Sequence, residues 1–157
     1  MNIDIIAVGK IKEKFFKDAL EEYSKRLSQF VKFTITEIPD EKIPDGAGEK
    51  IIEKIKDTEG EKILSKIKSG YVVSMCIEGK GVSSEDIADF LEKTANSASR
   101  ITFIIGGSLG LSDKVKARSD IQMSFGKITL PHQLKRVVLA EQIYRGYKII
   151  NNQSYHK

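Results

Sequence analysis

Ile101-Thr102-Phe103-Ile104-Ile105 runs directly into Gly106-Gly107-Ser108-Leu109-Gly110. An apolar, β-branched run that halts at a loop poor in side chains reads as a buried strand ending where backbone amides can face a ligand. The same figure appears twice more. Residues 71–77 form a continuous apolar run that stops at Glu78-Gly79-Lys80-Gly81. Residues 120–124 make a last strand, followed by Phe125-Gly126-Lys127-Ile128-Thr129-Leu130 and then by Pro131-His132-Gln133, which opens a long helical stretch to residue 150.

The intervening sequence supplies the alternating partners. Residues 3–8 are a strand ending at Gly9, and residues 31–38 alternate as a second strand. Between them, Phe15, Phe16, Ala19, Leu20, Tyr23 and Leu27 recur at helical spacing over 13–28. Residues 39–46 carry turn chemistry. A helix over 49–68 presents Ile51, Ile52, Ile55, Ile63, Leu64 and Ile67 on one face. Gly60 weakens its middle by about 1 kcal/mol relative to Ala, which allows a bend there. Ser83 or Ser84 caps a helix to residue 95, with Glu85, Asp86 and Asp89 where the dipole favours acids. A short helix over 112–118 starts at Ser112. Strands alternating with helices predict an α/β protein with a largely parallel sheet covered on both faces, one domain over 1–157, and a ligand at the carboxyl ends of the strands.

Composition narrows the function classes. With 157 residues, 40% hydrophobic and 31% charged, the chain is expected to be a soluble domain with a real core. No apolar run approaches the roughly 20 residues of a membrane span, and the first residues lack the basic region of a signal peptide. Cys76 is the single cysteine; it fits a reducing cytoplasm and excludes a zinc cluster built on several thiolates. Two histidines, His132 and His156, are too few and too scattered for a metal site, so no metal is expected. The net charge of +4 permits a phosphate-rich partner without requiring one.

The motifs leave alternatives open. Gly106–Gly110 is not the dinucleotide fingerprint, because Ser108 stands where that pattern needs glycine, and no Gly-Lys-Ser/Thr closes it as a phosphate loop. It is either a tight strand-to-helix turn or a ligand loop. Phe125–Leu130 would be a poor surface loop; it is either a buried crossover or a segment whose backbone reads an adenine edge between aliphatic side chains. His132 and Arg136 lie one helical turn apart and can face the same loop. Tyr155-His156-Lys157 is either a frayed end or a tyrosine, imidazole and cation that the preceding helix carries away from their own sheet. The lysine-rich 10–14 and 114–118 read as solvated surface or as phosphate contacts.

From Ala7-Val8-Gly9-Lys10 to Tyr155-His156-Lys157 the chain resembles the RlmH family of SPOUT (α/β-knot) RNA methyltransferases. The resemblance rests on Ile105-Gly106-Gly107, Ser124-Phe125 through Pro131-His132-Gln133, Arg136-Val137, Glu141-Gln142-Ile143-Tyr144-Arg145 and the terminal Tyr-His-Lys, in that order. It implies a carboxyl-terminal trefoil knot, a cytoplasmic homodimer, and methyl transfer from S-adenosylmethionine to N3 of a pseudouridine in 23S rRNA of the large ribosomal subunit or assembled ribosome. By position, the methyl donor would be held by Met75, Gly106, and Phe125, Gly126, Lys127, Ile128, Thr129 and Leu130. Tyr155 and His156 would complete the partner's active site, His156 as base and Tyr155 positioning the nucleobase, with His132 and Arg136 orienting the base or steadying the anion. A non-catalytic ribosome- or RNA-binding module and a 2′-O-ribose methyltransferase on the same fold are the alternatives. Two departures stand out: Cys76 replaces a frequent acid after the Met75 position, and Asn152 replaces a frequent glycine, a turn position that Asn tolerates.

Overall fold

The computed structural model describes residues 1–157. Five strands, β1 (Asn2–Val8), β2 (Lys32–Ile38), β3 (Tyr71–Gly81), β4 (Arg100–Ile105) and β5 (Ile121–Ser124), form one sheet in the order β2-β1-β4-β3-β5. Every pairing is parallel. Parallel neighbours need crossovers, and five helices supply them and the carboxyl-terminal cover: α1 (Lys14–Leu27), α2 (Glu49–Lys66), α3 (Ser84–Ala95), α4 (Asp113–Arg118) and α5 (His132–Ile150).

Strand periodicity divides the core in two. Ile3, Ile5, Ala7, Ile101, Phe103 and Ile105 pack with Leu27 of α1, Ile87 and Leu91 of α3, and Leu139 and Ile143 of α5. Ile6, Val8, Val72 and Ile104 point the other way, onto Ile63 of α2 and Val115 of α4. The central strands β1, β3 and β4 are therefore apolar on both sides, whereas the edge strand β2 alternates between exposed and covered positions.

The helices end where their chemistry dictates. Ser83 and Asp86 form a reciprocal capping box at the start of α3, and Ser112 Oγ accepts from Val115 N at the start of α4. Pro131 is the cap of α5, not its first helical residue. β3 continues past the expected stop at Ile77 to Gly81, with an irregular register against β5 between Met75 and Lys80. No helix is long and apolar enough to cross a membrane.

The bend that Gly60 would allow is not taken, and α2 runs unbroken. The glycine is needed for approach: a Cβ there would lie 2.4 Å from Ser112 Oγ and 3.2 Å from Ser112 Cβ. Replacing a helical glycine with alanine ordinarily gains about 1 kcal/mol. Here Gly60→Ala is expected to lose roughly 1–3 kcal/mol through overpacking, read as a lower urea midpoint at unchanged slope. A stabilised variant would contradict this packing of α2 on α4.

Candidate functional site

Because all strands are parallel, their carboxyl ends share one rim. A cleft of about 660 Å³ opens there, between the ends of β3 and β4 and the start of α5. That is an ordinary size for a small-molecule site. Met75, Gly106, Thr129 and Leu130 line it, as does His132. A small recess continues from it past Phe125, Gly126 and Ile128, sharing Met75 and Leu130. Of the positions matched to the donor by resemblance, Lys127 alone lines neither space.

The second bend is glycine-rich for a local reason. A Cβ on Gly106 would meet the Gly110 backbone at 2.9 Å, and Gly110 N donates to Gly107 O at 3.1 Å. The tight turn also exposes Gly106, Gly107 and Ser108 to the cleft. The third bend differs from the buried crossover considered above: residues 126–129 are exposed. Ser124 Oγ accepts from Gly126 N at 3.0 Å and donates to Gly126 O at 3.1 Å, closing the chain on itself without a core. Ile128 is left 78% exposed.

Cations gather at this rim: one from the lysine-rich 114–118 stretch and two, Lys56 and Lys135, that the sequence does not mark out. Lys56 of α2, Lys116 of α4 and Lys135 of α5 all line the cleft. Lys116 is paired with Glu78, which holds the Glu78 carboxyl below and the lysine above their usual ranges. No sequence periodicity brings three helices' lysines together; only the rim does. Cys76 also lines the cleft, where burial and then Glu78 push its thiol up, away from the reactive thiolate. No group of three or more His, Cys, Asp or Glu side chains is placed to hold a metal ion.

His132 and Arg136 part company. His132 lies on the cleft wall, its Nε2 3.3 Å from where a Cβ on Gly9 would sit. Arg136 is 0% exposed and does not line the cleft. Its Nη2 donates to Val8 O at 2.8 Å and Gly9 O at 2.7 Å, and its Nη1 pairs with Glu37 at 3.1 Å. Burial lowers the guanidinium from its ordinary value and Glu37 opposes this. The charge therefore fastens the first turn of α5 to the end of β1.

Tyr155 and His156 are not frayed, and neither lines the cleft of its own chain. After α5, Asn152 takes φ 52°, the left-handed turn. The tail then folds back: Tyr155 packs edge-on against Tyr144 with centroids 5.0 Å apart and donates to Glu141 at 3.1 Å. Burial, then hydrogen bonds with Tyr23 and Glu141, push the Tyr155 phenol well above its ordinary value. His156 contacts Glu85 and Arg145.

A parallel α/β sheet with bare backbone bends and a cleft at its carboxyl rim defines the class: an α/β domain whose cleft lies where sheets of this kind ordinarily take ligands. A family model described as a predicted SPOUT methyltransferase matches residues 1–156. The chain is 54% identical over 159 residues to a protein of Limosilactobacillus reuteri (strain DSM 20016) named ribosomal RNA large subunit methyltransferase H. Proteins of that name from Clostridium tetani (strain Massachusetts / E88) and Clostridium botulinum (strain 657 / Type Ba4) are 52% and 51% identical over 159 and 163 residues. In all three pairs the alignment covers 100% of both chains. The chain belongs to the SPOUT methyltransferase family.

Two outcomes test the wall of the cleft. Arg136→Met leaves the Val8 and Gly9 carbonyls without their donor, while the partly exposed Glu37 can be solvated, and should cost about 1–3 kcal/mol in urea unfolding; wild-type stability would show that the guanidinium fastens nothing. Burial, and then the Arg136 charge, hold the His132 imidazole below its ordinary 6.5. The unfolded chain therefore binds more protons between the folded value and 6.5, and stability falls as pH drops through that window. His132→Gln should flatten this part of the stability–pH curve, and an unchanged slope would contradict the assignment.

Proposed function

We propose that the protein transfers a methyl group from S-adenosylmethionine to N3 of a pseudouridine in 23S rRNA, acting as a homodimer on the large ribosomal subunit or assembled ribosome in the cytoplasm. The observation that carries the reading is the cleft where Met75, Gly106, Thr129 and Leu130 converge, in a chain aligned end to end with large-subunit rRNA methyltransferases.

The residues present suit the donor. Met75 and Leu130 offer aliphatic faces to a base, and Phe125, Gly126 and Ile128 extend that surface. The bends at Gly106 and at 126–129, including Lys127 and Thr129, offer backbone groups to an adenine edge. Lys56 and Lys135 suit a carboxylate. When bound, the donor supplies a methyl on a sulfonium, and its transfer leaves a neutral thioether. An imide nitrogen is a poor nucleophile until its proton leaves, so a base and a nearby cation are what the protein must add. Placement of the reactants supplies much of the rest. His156 is the proposed base and Tyr155 the positioning group for the nucleobase. His132 orients the reacting groups from the cleft wall, and Arg136 acts through it by fastening α5.

Since Tyr155 and His156 stay on their own α3 and α5, they would serve a partner's cleft. The surface beside them favours a second copy. Ile128 lines an apolar groove with Val82, Phe125, Leu130 and Val138, Ile77 (54% exposed) lies in the recess next to it, and Leu134, Val137 and Val138 of α5 are only half-buried. Knotted threading of the carboxyl-terminal segment is part of the same proposal and rests on family membership.

The test combines titration calorimetry with methylation of ribosomes mapped by mass spectrometry. His156→Ala should bind S-adenosylmethionine like wild type and transfer methyl at least about 100-fold more slowly. Equal turnover would remove His156 from the chemistry. A methyl mapped to ribose would favour the 2′-O reading, and no binding of the donor by wild type would favour the non-catalytic module.

A further inference from the structure

The tail's imidazole is held from two sides by groups of opposite and fixed hydrogen-bonding character. His156 Nε2 lies 2.8 Å from Glu85 Oε1, and Nδ1 lies 3.2 Å from Arg145 Nη1. An ionised carboxylate only accepts and a guanidinium only donates. The proton must therefore sit on Nε2, and the bare lone pair must be on Nδ1. The two partners are themselves placed. Arg145 Nε and Nη2 donate to Glu141 Oε1 at 3.0 and 2.5 Å, and its guanidinium lies over the Tyr155 ring at 4.6 Å, so Nη1 is the part that reaches His156. Glu85 stands in the first turn of α3, next to Ser84, whose Oγ donates to Gln142 Oε1 at 2.6 Å and ties α3 to α5.

We propose that Glu85 is a positioning residue of the methyl-transfer site: by accepting the Nε2 proton of His156 it fixes the tautomer and leaves Nδ1, on the Arg145 side, as the nitrogen that takes up the substrate's imide proton. This rests on the function proposed above. An imide that displaces Arg145 Nη1 from Nδ1 meets a lone pair and a cation in one place. The N3 proton passes to Nδ1; the electron pair it leaves stays on the imide nitrogen, beside Arg145, ready to form the bond to methyl. The imidazolium so formed keeps its Nε2–H on the Glu85 carboxylate as a charge-assisted bond, and later returns the extra proton to water. Protonation before substrate arrives has the opposite effect. It turns Nδ1–H toward Arg145 Nη1, donor against donor and cation against cation, while Glu85 keeps its hold. The charged and titratable groups around the ring are Glu85 from α3, Arg145 and behind it Glu141 from α5, and Tyr155 from the tail.

Two measurements decide the matter. The chain has only two histidines, so long-range ¹H–¹⁵N correlation of the labelled full-length protein, with His132→Gln for assignment, reads the His156 tautomer without any methylation. Protonated Nε2 and bare Nδ1 are expected; a proton on Nδ1 overturns the proposal. In methyl transfer to ribosomes, Glu85→Ala should lower kcat about tenfold with unchanged affinity for S-adenosylmethionine. Glu85→Gln still offers a carbonyl to Nε2–H but no charge to the imidazolium. It should keep most of kcat at alkaline pH and move the acid limb of the kcat profile to lower pH, a displacement that support of the tail alone would not produce. Wild-type kcat and acid limb in both variants would overturn the proposal. If wild type itself transfers no methyl to ribosomes, the functional reading fails, and the tautomer measurement still decides the role of Glu85 in the tail.

Discussion

A guanidinium with no exposed surface sits between the end of β1 and the first turn of α5. Arg136 supplies donors to the carbonyls of Val8 and Gly9, where β1 ends, and it carries its charge to Glu37 of β2. A buried cation of this kind persists only where its partners are well placed. The consequence is geometric. With α5 fastened there, His132 one turn earlier must face the rim, and the chain from Ser124 to Pro131 must close the cleft from the β5 side. Metabolite-sized volume at the rim follows from where one arginine is tied.

The two halves of the core divide the labour. The layer under α2 and α4 is small and brings Lys56 and Lys116 to the rim, while the layer under α1, α3 and α5 is large and ends in the tail. A chain built this way holds the loops of the cleft on one side of α5 and displays Tyr155 and His156 on another, fixed by Glu141, Arg145 and Glu85. A cleft and a tail that do not meet within one copy give a physical reason for the proposed pairing of two copies, and Ile128 and Ile77 are exposed apolar side chains that such pairing could cover.

Much of the fold was legible because strand periodicity and caps are local signals. The apolar runs at 3–8, 71–77 and 101–105 became the central strands, Ser112 and Ser83 became caps, and Asn152 took the turn its side chain tolerates. What escaped depends on distant partners. Gly60 read as a weak point in a helix, because nothing in the sequence says that Ser112 packs against it. Arg136 read as a companion of His132, one helical turn on and facing the same loop; helical spacing fixes its direction only to within a turn, and the carbonyls it serves are more than a hundred residues away. The lysines of the cleft come from three helices. Glu141 and Arg145 stood out only as parts of a motif; the hold of their ion pair on Tyr155 and His156 required the tail's reversal at Asn152. The exposure of 126–129 was illegible because an apolar segment ordinarily implies burial, and here the burial awaits a ligand or a second copy in the proposed assembly.

A crystal grown with S-adenosylmethionine puts the rim to its most direct test. The adenosyl group is expected among Met75, Gly106 and Leu130, its base against the backbone of the bend at 126–129. A saturated crystal in which these residues touch no donor, or in which the donor occupies the groove beside Val82 and Val138 instead, would contradict the account.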